Sequence, residues 1–449
     1  MRFIFYYSLL LFLLIGCSQN QTSIDKIQLI TLDPGHFHAA LIQKSMYPEV
    51  DSLVYVYGPD TPDIKYHLGR IAQYNSSEIA PTHWKTKSYI DADFYEKWKE
   101  EHKGNVVMLS GNNLKKMEYI TTAIQQGYHV YADKPMAINM DNFTALEKTF
   151  SLAEQKKLLL YDIMTERYEI TTRLQKELSE IYDVFGNLII GSVQEPAITK
   201  ESVHHYFKNV SGKPLVRPTW FFDTQQQGEG LVDVSVHLVD LTFWECFPEQ
   251  AIDKSDIALI KSERWPTYLS EAEFEKVTGS KEIPEFLLNN FAGDSLAIYA
   301  NGALHFTLKG HHAKVSVLWN YQAPEGGSDT HYSIMRGTKS NLIIVQDKAH
   351  QYTPTLYIEP QIDIDPLAIQ KAVIDLEDRY PGVSLTATNS GWRVEIPKEL
   401  REGHEAHFAA VTKKFITYFQ NKSIPEWERK NMITKYYLTT LALDKAQNR

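Results

Sequence analysis

Residues 127–139 read Gly127-Tyr128-His129-Val130-Tyr131-Ala132-Asp133-Lys134-Pro135-Met136-Ala137-Ile138-Asn139. This pattern predicts that a helix stops at Gly127, that residues 128–132 form a short buried strand, and that Asp141 caps the next helix. A lysine just past the carboxyl end of an apolar strand, with Pro135 fixing the backbone behind it, points its amine at the crevice where open parallel sheets bind ligands. We therefore predict that Lys134 lies in a functional site.

The sequence before this stretch alternates strands with helices. Apolar runs predict strands at residues 27–32, 53–57 and 106–109, and a helix at residues 114–126 leads to the stretch quoted above. A further strand is predicted at residues 158–161. Repeated alternation of this kind indicates a parallel sheet covered on both faces, whose first turn binds phosphate in dinucleotide folds.

Composition limits the classes of protein to consider. A chain of 449 residues is long enough for two or three domains, and 43% hydrophobic with 23% charged residues is typical of a globular protein. The formal net charge of -10 argues against a nucleic-acid partner, because neutralising phosphates requires a basic surface.

The N-terminus has the features of an export signal. Arg2 is followed by an apolar run at residues 3–16, and Leu14-Ile15-Gly16-Cys17 resembles a bacterial lipobox. We therefore predict a lipoprotein signal peptide at residues 1–17, lipidation of Cys17, and a polar tether at residues 18–26. The protein would be exported and held to the membrane only through this lipid, facing the periplasm. With Cys17 lipidated, Cys246 has no cysteine left for an intrachain disulfide.

A second informative stretch reads Gly228-Glu229-Gly230-Leu231-Val232-Asp233-Val234-Ser235-Val236-His237. Glycines open it and apolar residues recur at helical spacing, which predicts a helix that starts in a cleft. Asp233 and His237 are four residues apart and would share one helical face. An imidazole that a carboxylate orients is a suitable general base near neutral pH.

These two stretches resemble signatures of the glucose-fructose oxidoreductase and inositol dehydrogenase family, often called Gfo/Idh/MocA. Asp133-Lys134-Pro135 is similar to its Glu-Lys-Pro signature, and residues 228–237 resemble its glycine-rich signature with Asp and His, with Glu229 in place of a glycine. The resemblance implies an α/β protein with an N-terminal Rossmann-type parallel sheet and a C-terminal α+β domain that has an open, largely antiparallel sheet. The predicted boundaries are 27–163 for the dinucleotide-binding domain, 164–360 for the substrate-binding domain and 361–449 for a C-terminal extension.

The resemblance also implies a nicotinamide cofactor. The first turn, Asp33-Pro34-Gly35-His36-Phe37-His38-Ala39, has one glycine where dinucleotide folds usually show G-x-G-x-x-G. No arginine near the end of the second strand suits a 2′-phosphate, so NAD is favoured over NADP. No metal site is predicted, because His404 and His407 lack further ligands. The predicted cofactor-binding residues are Gly35, His36, Phe37, His38, Asp60, Ser110, Asn112, Asn113, Asp133 and Lys134.

The function implied is an NAD(P)-dependent oxidoreductase that acts on the CH–OH group of a sugar, glycoside or polyol. His237 would remove the hydroxyl proton, Lys134 would stabilise the developing alkoxide, and Asp233 would orient His237. The predicted substrate-binding residues are Lys134, Arg167, Trp220, Asp233 and His237.

Two alternatives remain open. An NAD-dependent glycosidase would oxidise a ring hydroxyl transiently and eliminate the aglycone. It would need a further acid-base group, such as His204, His205 or Tyr206. The other alternative is a sugar-binding lipoprotein without a cofactor.

The C-terminal half predicts a different architecture. Alternating apolar and polar residues predict an open antiparallel sheet, with a hairpin turn at Asn301-Gly302, and this sheet offers a surface for a homo-oligomer. The tail predicts two helices and a strand pair around Trp392. The predicted strands are residues 188–194, 295–308, 313–321, 332–337 and 340–346, and the predicted helices are residues 367–379 and 404–419.

Overall fold

The computed structural model describes residues 26–210, 213–362 and 364–448. The predicted signal peptide, Cys17 and residues 18–25 of the predicted tether lie outside the described residues. Within the described ranges, no helix has both the length and the apolar character needed to cross a membrane.

A six-stranded parallel sheet forms the N-terminal part, in the order β3-β2-β1-β4-β5-β6. Its central strands are buried along their whole length, which explains their uninterrupted apolar sequences. The order is that of a doubly wound dinucleotide-binding fold, so the predicted Rossmann-type sheet is confirmed. The strands are β1 (Leu29–Leu32), β2 (Leu53–Gly58), β3 (Lys85–Ile90), β4 (Val106–Leu109), β5 (His129–Asp133) and β6 (Leu160–Ile163).

Helices connect these strands. Gly127 ends α4 with a φ of +93°, in the left-handed region that favours glycine. Asn139, not Asp141 as predicted, caps α5, because its side chain accepts a hydrogen bond from the amide of Asn142. The helices are α1 (His38–Leu41), α2 (Pro62–Asn75), α3 (Phe94–Glu101), α4 (Lys116–Gln126) and α5 (Met140–Lys156).

A large mixed sheet dominates the C-terminal part. Its main path runs β10-β12-β13-β7-β14-β15-β16-β18-β17 and is antiparallel except where β13 pairs with β7. Two short strands, β8 and β9, pair separately, and β11 pairs with β12. The strands are β7 (Ile198–Phe207), β8 (Asn209–Val210), β9 (Lys213–Pro214), β10 (Ile257–Ser270), β11 (Phe291–Ala292), β12 (Ser295–Leu308), β13 (His311–Gln322), β14 (Thr330–Arg336), β15 (Ser340–Gln346), β16 (Thr355–Pro360), β17 (Ser384–Thr388) and β18 (Gly391–Glu395).

Two strand-level predictions are wrong. Residues 188–194 form only isolated bridges, and the strand of this region is β7, which starts at Ile198. Asn301 and Gly302 lie inside β12, where the Asn301 side chain bonds Trp319 and Thr267 on neighbouring strands. The turn that follows β12 is at Lys309-Gly310, where both residues have positive φ.

The C-terminal helices return to the other elements. Phe408 and Phe415 of α12 join the core of the N-terminal sheet, and the Phe415 ring stacks on Tyr131 of β5 with centroids 4.6 Å apart. The last helix, α13, packs against α5, α9 and β10. Its apolar residues face several neighbours, so no single amphipathic stripe indicates it in the sequence. The helices of this half are α6 (Ile170–Ser179), α7 (Tyr182–Phe185), α8 (Thr224–Gln227), α9 (Ser235–Cys246), α10 (Glu271–Thr278), α11 (Pro366–Ile374), α12 (His404–Asn421) and α13 (Glu426–Gln447).

A buried ionic cluster fixes α13 in place. Lys435 lies 2.8 Å from Asp162 of β6 and 2.7 Å from Asp240 of α9. Asp240 also accepts two hydrogen bonds from Arg167, whose third nitrogen donates to Glu428 of α13 at 2.6 Å. These side chains are almost completely buried, so each charge depends on its partners.

Replacing Lys435 tests this dependence. We expect Lys435→Met to lower the free energy of unfolding by about 3–5 kcal/mol, because Asp162 and Asp240 would lose a buried partner. Denaturant unfolding followed by circular dichroism measures the loss. The matched control is Lys430→Met on the same helix, whose ion pairs are at the surface and whose replacement should change stability little. Equal stabilities for the two variants would contradict this account.

Candidate functional site

Lys134 follows directly on the end of β5, and a second, buried lysine holds this segment. Lys116, the first residue of α4, donates to the backbone carbonyls of Asp133 at 3.0 Å and of Pro135 at 3.3 Å. Burial lowers the pKa of Lys116 to about 8. Lys116 thus binds the backbone immediately before and after Lys134, and these contacts fix the position of the Lys134 main chain.

The ammonium of Lys134 forms an ion pair with Asp233. Its Nζ lies 2.6 Å from Asp233 Oδ1 and 3.4 Å from the backbone oxygen of the same residue. Both side chains are largely buried, at 14% and 8% exposure, so this contact between the two sheets' domains is screened little by solvent. The two predicted signature stretches therefore meet in space.

The structure changes the predicted role of Asp233. The residue lies in the turn before α9, which begins only at Ser235, so Asp233 and His237 do not share a helical face. The Asp233 carboxylate bonds Lys134, and Nδ1 of His237 has no hydrogen-bond partner among the described residues. The prediction that Asp233 orients His237 is replaced by one in which Asp233 orients Lys134.

The glycines before α9 serve packing. A Cβ on Gly230 would lie 1.9 Å from the backbone oxygen of Ala300, so only glycine fits against β12 there. Glu229, which stands where the family signature has a glycine, forms two hydrogen bonds with Arg264 of β10. Through these contacts, the stretch before α9 packs against β10 and β12 of the second sheet.

His237 is partly buried and uncharged near neutral pH. Burial, and then the charge of Lys134, hold the pKa of its imidazole well below the ordinary value of 6.5. An imidazole with such a low pKa is neutral before the reaction, so its free nitrogen can accept a proton.

Asp133 lies at the centre of a second polar cluster beside Lys134. Its Oδ2 lies 3.0 Å from Nδ1 of His38 and 3.3 Å from Nδ1 of His36, and it accepts a hydrogen bond from Ser110 at 2.8 Å. Burial opposes the charge of Asp133, but the two histidines hold its pKa well below the usual range. On the far side, Nε2 of His38 lies 2.7 Å from Nε2 of His404 in α12.

The turn after β1 forms the floor of the crevice. The amides of Gly35 and His36 donate to the carbonyl of Ser110, at 3.1 and 3.2 Å. A Cβ on Gly111 would lie 2.5 Å from the carbonyl oxygen of Asp33 and 2.8 Å from the amide of Gly35. The turns after β1 and β4 therefore touch through their backbones, without side chains between them.

This arrangement fits a nicotinamide dinucleotide. The crevice lies at the carboxyl ends of β1 and β4, where the strand order reverses and dinucleotide folds bind their ligand. Gly35 and Gly111 themselves add no side chains to its floor, and Oδ1 of Asn113 is buried there with no partner among the described residues. Gly35, Ser110, Asn112 and Asn113 would hold the cofactor.

Residues 219–227 of the second domain reach across the crevice. Trp220 donates from its indole nitrogen to Asp63 of α2 at 3.0 Å. A Cβ added to Gly35 would lie 3.4 Å from the Trp220 ring. Asn112 bonds the Gln226 side chain at 2.5 Å, and Asn113 bonds the carbonyl of Gln227 at 2.7 Å. These contacts place Trp220 on the cofactor side of the crevice.

Other predicted residues lie elsewhere. Arg167, predicted to bind substrate, belongs instead to the buried ionic cluster of α9 and α13 described above. Asp60 follows β2 as predicted, but its side chain is exposed and pairs with Lys65 at 2.9 Å. His205 and His204 face Asp329 at 3.0 and 3.5 Å.

Tyr206 has a buried hydroxyl without a partner among the described residues. Burial raises the pKa of this hydroxyl, and the charge of Asp233 adds to the rise. Tyr206 therefore lies near enough to Asp233 for the carboxylate to influence its hydroxyl.

Sequence reasoning missed three residues of this region: Lys116, Asp63 and His404 as a partner of His38. Asp63 follows Pro62 in the first turn of α2, and a proline and an acid there are a usable signal of a helix start, whereas Lys116 at the start of α4 has no such signal. His404 is 366 residues from His38 in the chain, so no local pattern could bring the two together.

Comparison with known proteins gives the family. Residues 174–447 match the family model described as "Putative oxidoreductase C terminal domain", which is more than half of the chain. None of the curated proteins matches this sequence significantly. The chain is 50% identical to "a putative oxidoreductase" from Parabacteroides merdae ATCC 43184, whose crystal structure covers 94% of this chain and 98% of its own with a TM-score of 0.92.

Two more distant structures share the fold. A levoglucosan dehydrogenase in complex with NADH and L-sorbose is 12% identical, covers 94% of this chain and 97% of its own, and has a TM-score of 0.60. A 3-ketoreductase from Actinomadura kijaniata in complex with NADP and TDP-benzene is 13% identical over 94% and 97% of the two chains, with a TM-score of 0.55. The chain belongs to the oxidoreductase family that this C-terminal domain defines, and its resemblance to the Gfo/Idh/MocA oxidoreductases is confirmed.

Proposed function

We propose that this protein is a nicotinamide-dependent oxidoreductase that transfers hydride at a hydroxyl-bearing carbon of a sugar, glycoside or polyol. The observation that carries the proposal is the Lys134–Asp233 pair at the carboxyl end of β5, with an uncharged His237 beside it. The levoglucosan dehydrogenase, which shares the fold, was solved with NADH and L-sorbose, and the 3-ketoreductase, which also shares it, was solved with NADP and TDP-benzene. These relatives support a nicotinamide cofactor and a carbohydrate substrate.

The residues divide the work at the reacting hydroxyl. A bound nicotinamide would accept or supply the hydride. His237 takes the hydroxyl proton on its neutral imidazole, and Lys134 stabilises the negative charge that develops on the oxygen. Asp233 holds the Lys134 ammonium, because the two groups are only 2.6 Å apart and both are largely buried.

We infer that NAD is preferred over NADP. Two carboxylates, Asp60 and Asp63, follow β2, where dinucleotide folds hold the adenosine ribose. A carboxylate in this place suits a ribose hydroxyl and repels a 2′-phosphate. Asp63 is the better placed of the two, since Trp220 fixes its carboxylate while Asp60 is exposed.

The remaining sequence predictions stay proposals. Export, lipidation of Cys17 and a periplasmic location are supported by the lipobox-like residues 14–17. A homo-oligomer through the open sheet is supported by the long, exposed edge strand β10, on which Trp265 and Tyr268 are exposed.

Mass spectrometry of a glycoside and polyol panel, incubated with the protein and NAD, tests the reaction class. A product that lacks two hydrogens and is otherwise intact supports the dehydrogenase. Released aglycone without net NADH would instead establish the redox-neutral glycosidase. If the protein binds a sugar but shows no turnover and holds no nicotinamide, the result would instead support the sugar-binding protein.

Replacing Lys134 tests the proposed stabilisation of the alkoxide. We expect Lys134→Met to lower kcat roughly 100- to 1,000-fold, because removing one preorganised charge of this kind costs that much. Binding of NAD, followed by protein fluorescence, should change far less. The control Lys148→Met removes an exposed lysine on α5 and should leave kcat unchanged. A Lys134 variant with full turnover would rule out the assignment.

The pH dependence of oxidation tests His237. A base works only when unprotonated, so kcat/KM falls as the pH drops through its pKa. Because burial and Lys134 lower the pKa of His237, we expect kcat/KM to hold its plateau down to pH 6.5 and to decline only below it. His237→Asn should lower kcat and remove this acid limb. An acid limb centred above pH 6.5 would contradict the role of His237.

A further inference from the structure

We propose that His36, His38 and Asp133 bind a divalent transition-metal ion at the edge of the crevice. Nothing in the local sequence indicates such a site, because Asp133 is 95 residues from His38 in the chain. The fold brings together the turn after β1 and the end of β5. Two imidazoles and one carboxylate are a common ligand set for zinc and for non-haem iron.

The distances between the donor atoms suit a common ion. One ring nitrogen of His36, one ring nitrogen of His38 and one carboxylate oxygen of Asp133 all lie within 4.8 Å of one another. Ligand atoms that are each about 2.1 Å from one ion are about 3.0–3.4 Å apart. The separations from Asp133 Oδ2, 3.0 Å to His38 and 3.3 Å to His36, fall in this range.

The orientation of His36 permits a cation between the donors. Its Nδ1 faces the Asp133 carboxylate at 3.3 Å and lies 3.4 Å from the backbone amide of His38. This nitrogen has a single lone pair, so a metal ion between Nδ1 and the carboxylate would replace both the ring proton and the long contact with the His38 amide.

The surroundings provide the outer contacts that metal-binding histidines need. His404 lies 2.7 Å from the remote nitrogen of His38 and would fix its ring, as hydrogen-bond partners of metal ligands do. Ser110 donates to the ligating oxygen of Asp133 at 2.8 Å. The second oxygen, Oδ1, is buried and has no partner among the described residues.

The charge balance and access also permit an ion. Lys134 is neutralised by Asp233, and Lys116 is bound to backbone carbonyls. The His36 side chain is 33% exposed, so the site is open on one side. Three protein ligands with an open side leave coordination positions for water or substrate, whereas Ca²⁺ and Mg²⁺ prefer oxygen ligands.

The test measures metal binding and is independent of oxidoreductase activity. Untagged protein, stripped with a chelator and dialysed, is titrated with Co²⁺ while its visible absorption is recorded, and bound Co²⁺ is then displaced with Zn²⁺. We expect one Co²⁺ per chain with a visible band, and loss of the band in His36→Ala and in Asp133→Asn. His404→Ala should weaken binding about 10- to 100-fold.

His83→Ala, which removes an exposed histidine of the N-terminal domain, should bind as the wild type does. Circular dichroism confirms that each variant is folded. If Asp133→Asn does not fold, His36→Ala still decides the test. Wild-type protein that binds no Co²⁺ or Zn²⁺, or a His36 variant that binds with unchanged affinity and spectrum, would overturn the proposal. Failure here would leave the hydride-transfer proposal untouched, since that rests on Lys134 and His237.

Discussion

The ion pair between Lys134 and Asp233 is the constraint that organises this protein. It joins the end of a strand in the first sheet to the turn before α9, and both partners are largely buried. Separating the pair would leave a charge in a site with little solvent, which is strongly destabilising. The Lys134 ammonium is therefore held where the two domains meet, and under the proposed function the reacting hydroxyl would enter between them.

The structure supports this contact from both sides. On the side of Lys134, the buried Lys116 donates to the backbone carbonyls of the residues before and after it. On the side of Asp233, Gly230 packs closely against β12, and Glu229 accepts hydrogen bonds from Arg264 of β10. The helices α12 and α13 come from the far end of the chain and still pack on β5 and α9. The C-terminal elements thus position the site although they follow the second sheet in sequence.

Local patterns were sufficient for much of the fold and for the place of Lys134 at the end of β5. Five strands of the first sheet could be predicted because they contain apolar runs, and β15 because Leu342-Ile343-Ile344-Val345 is such a run as well. The edge strand β3 was missed, because it is largely polar and exposed. Predictions failed where a distant partner decided the outcome. Asn301-Gly302 looks like a hairpin turn, but Asn301 bonds two neighbouring strands inside β12. Arg167 looks free to bind substrate, but Asp240 and Glu428, far along the chain, use its guanidinium.

The replacement of glutamate by aspartate in the signature has a structural consequence. Successive side chains at the end of a strand point to opposite sides, so Asp133 and Lys134 face different surroundings. With its short side chain, Asp133 turns to Ser110, His36 and His38, while Lys134 faces Asp233. The same short segment therefore orders two charged clusters, one on each side of the backbone. Because Lys116 binds the carbonyls of Asp133 and Pro135, it holds the backbone from which both clusters extend.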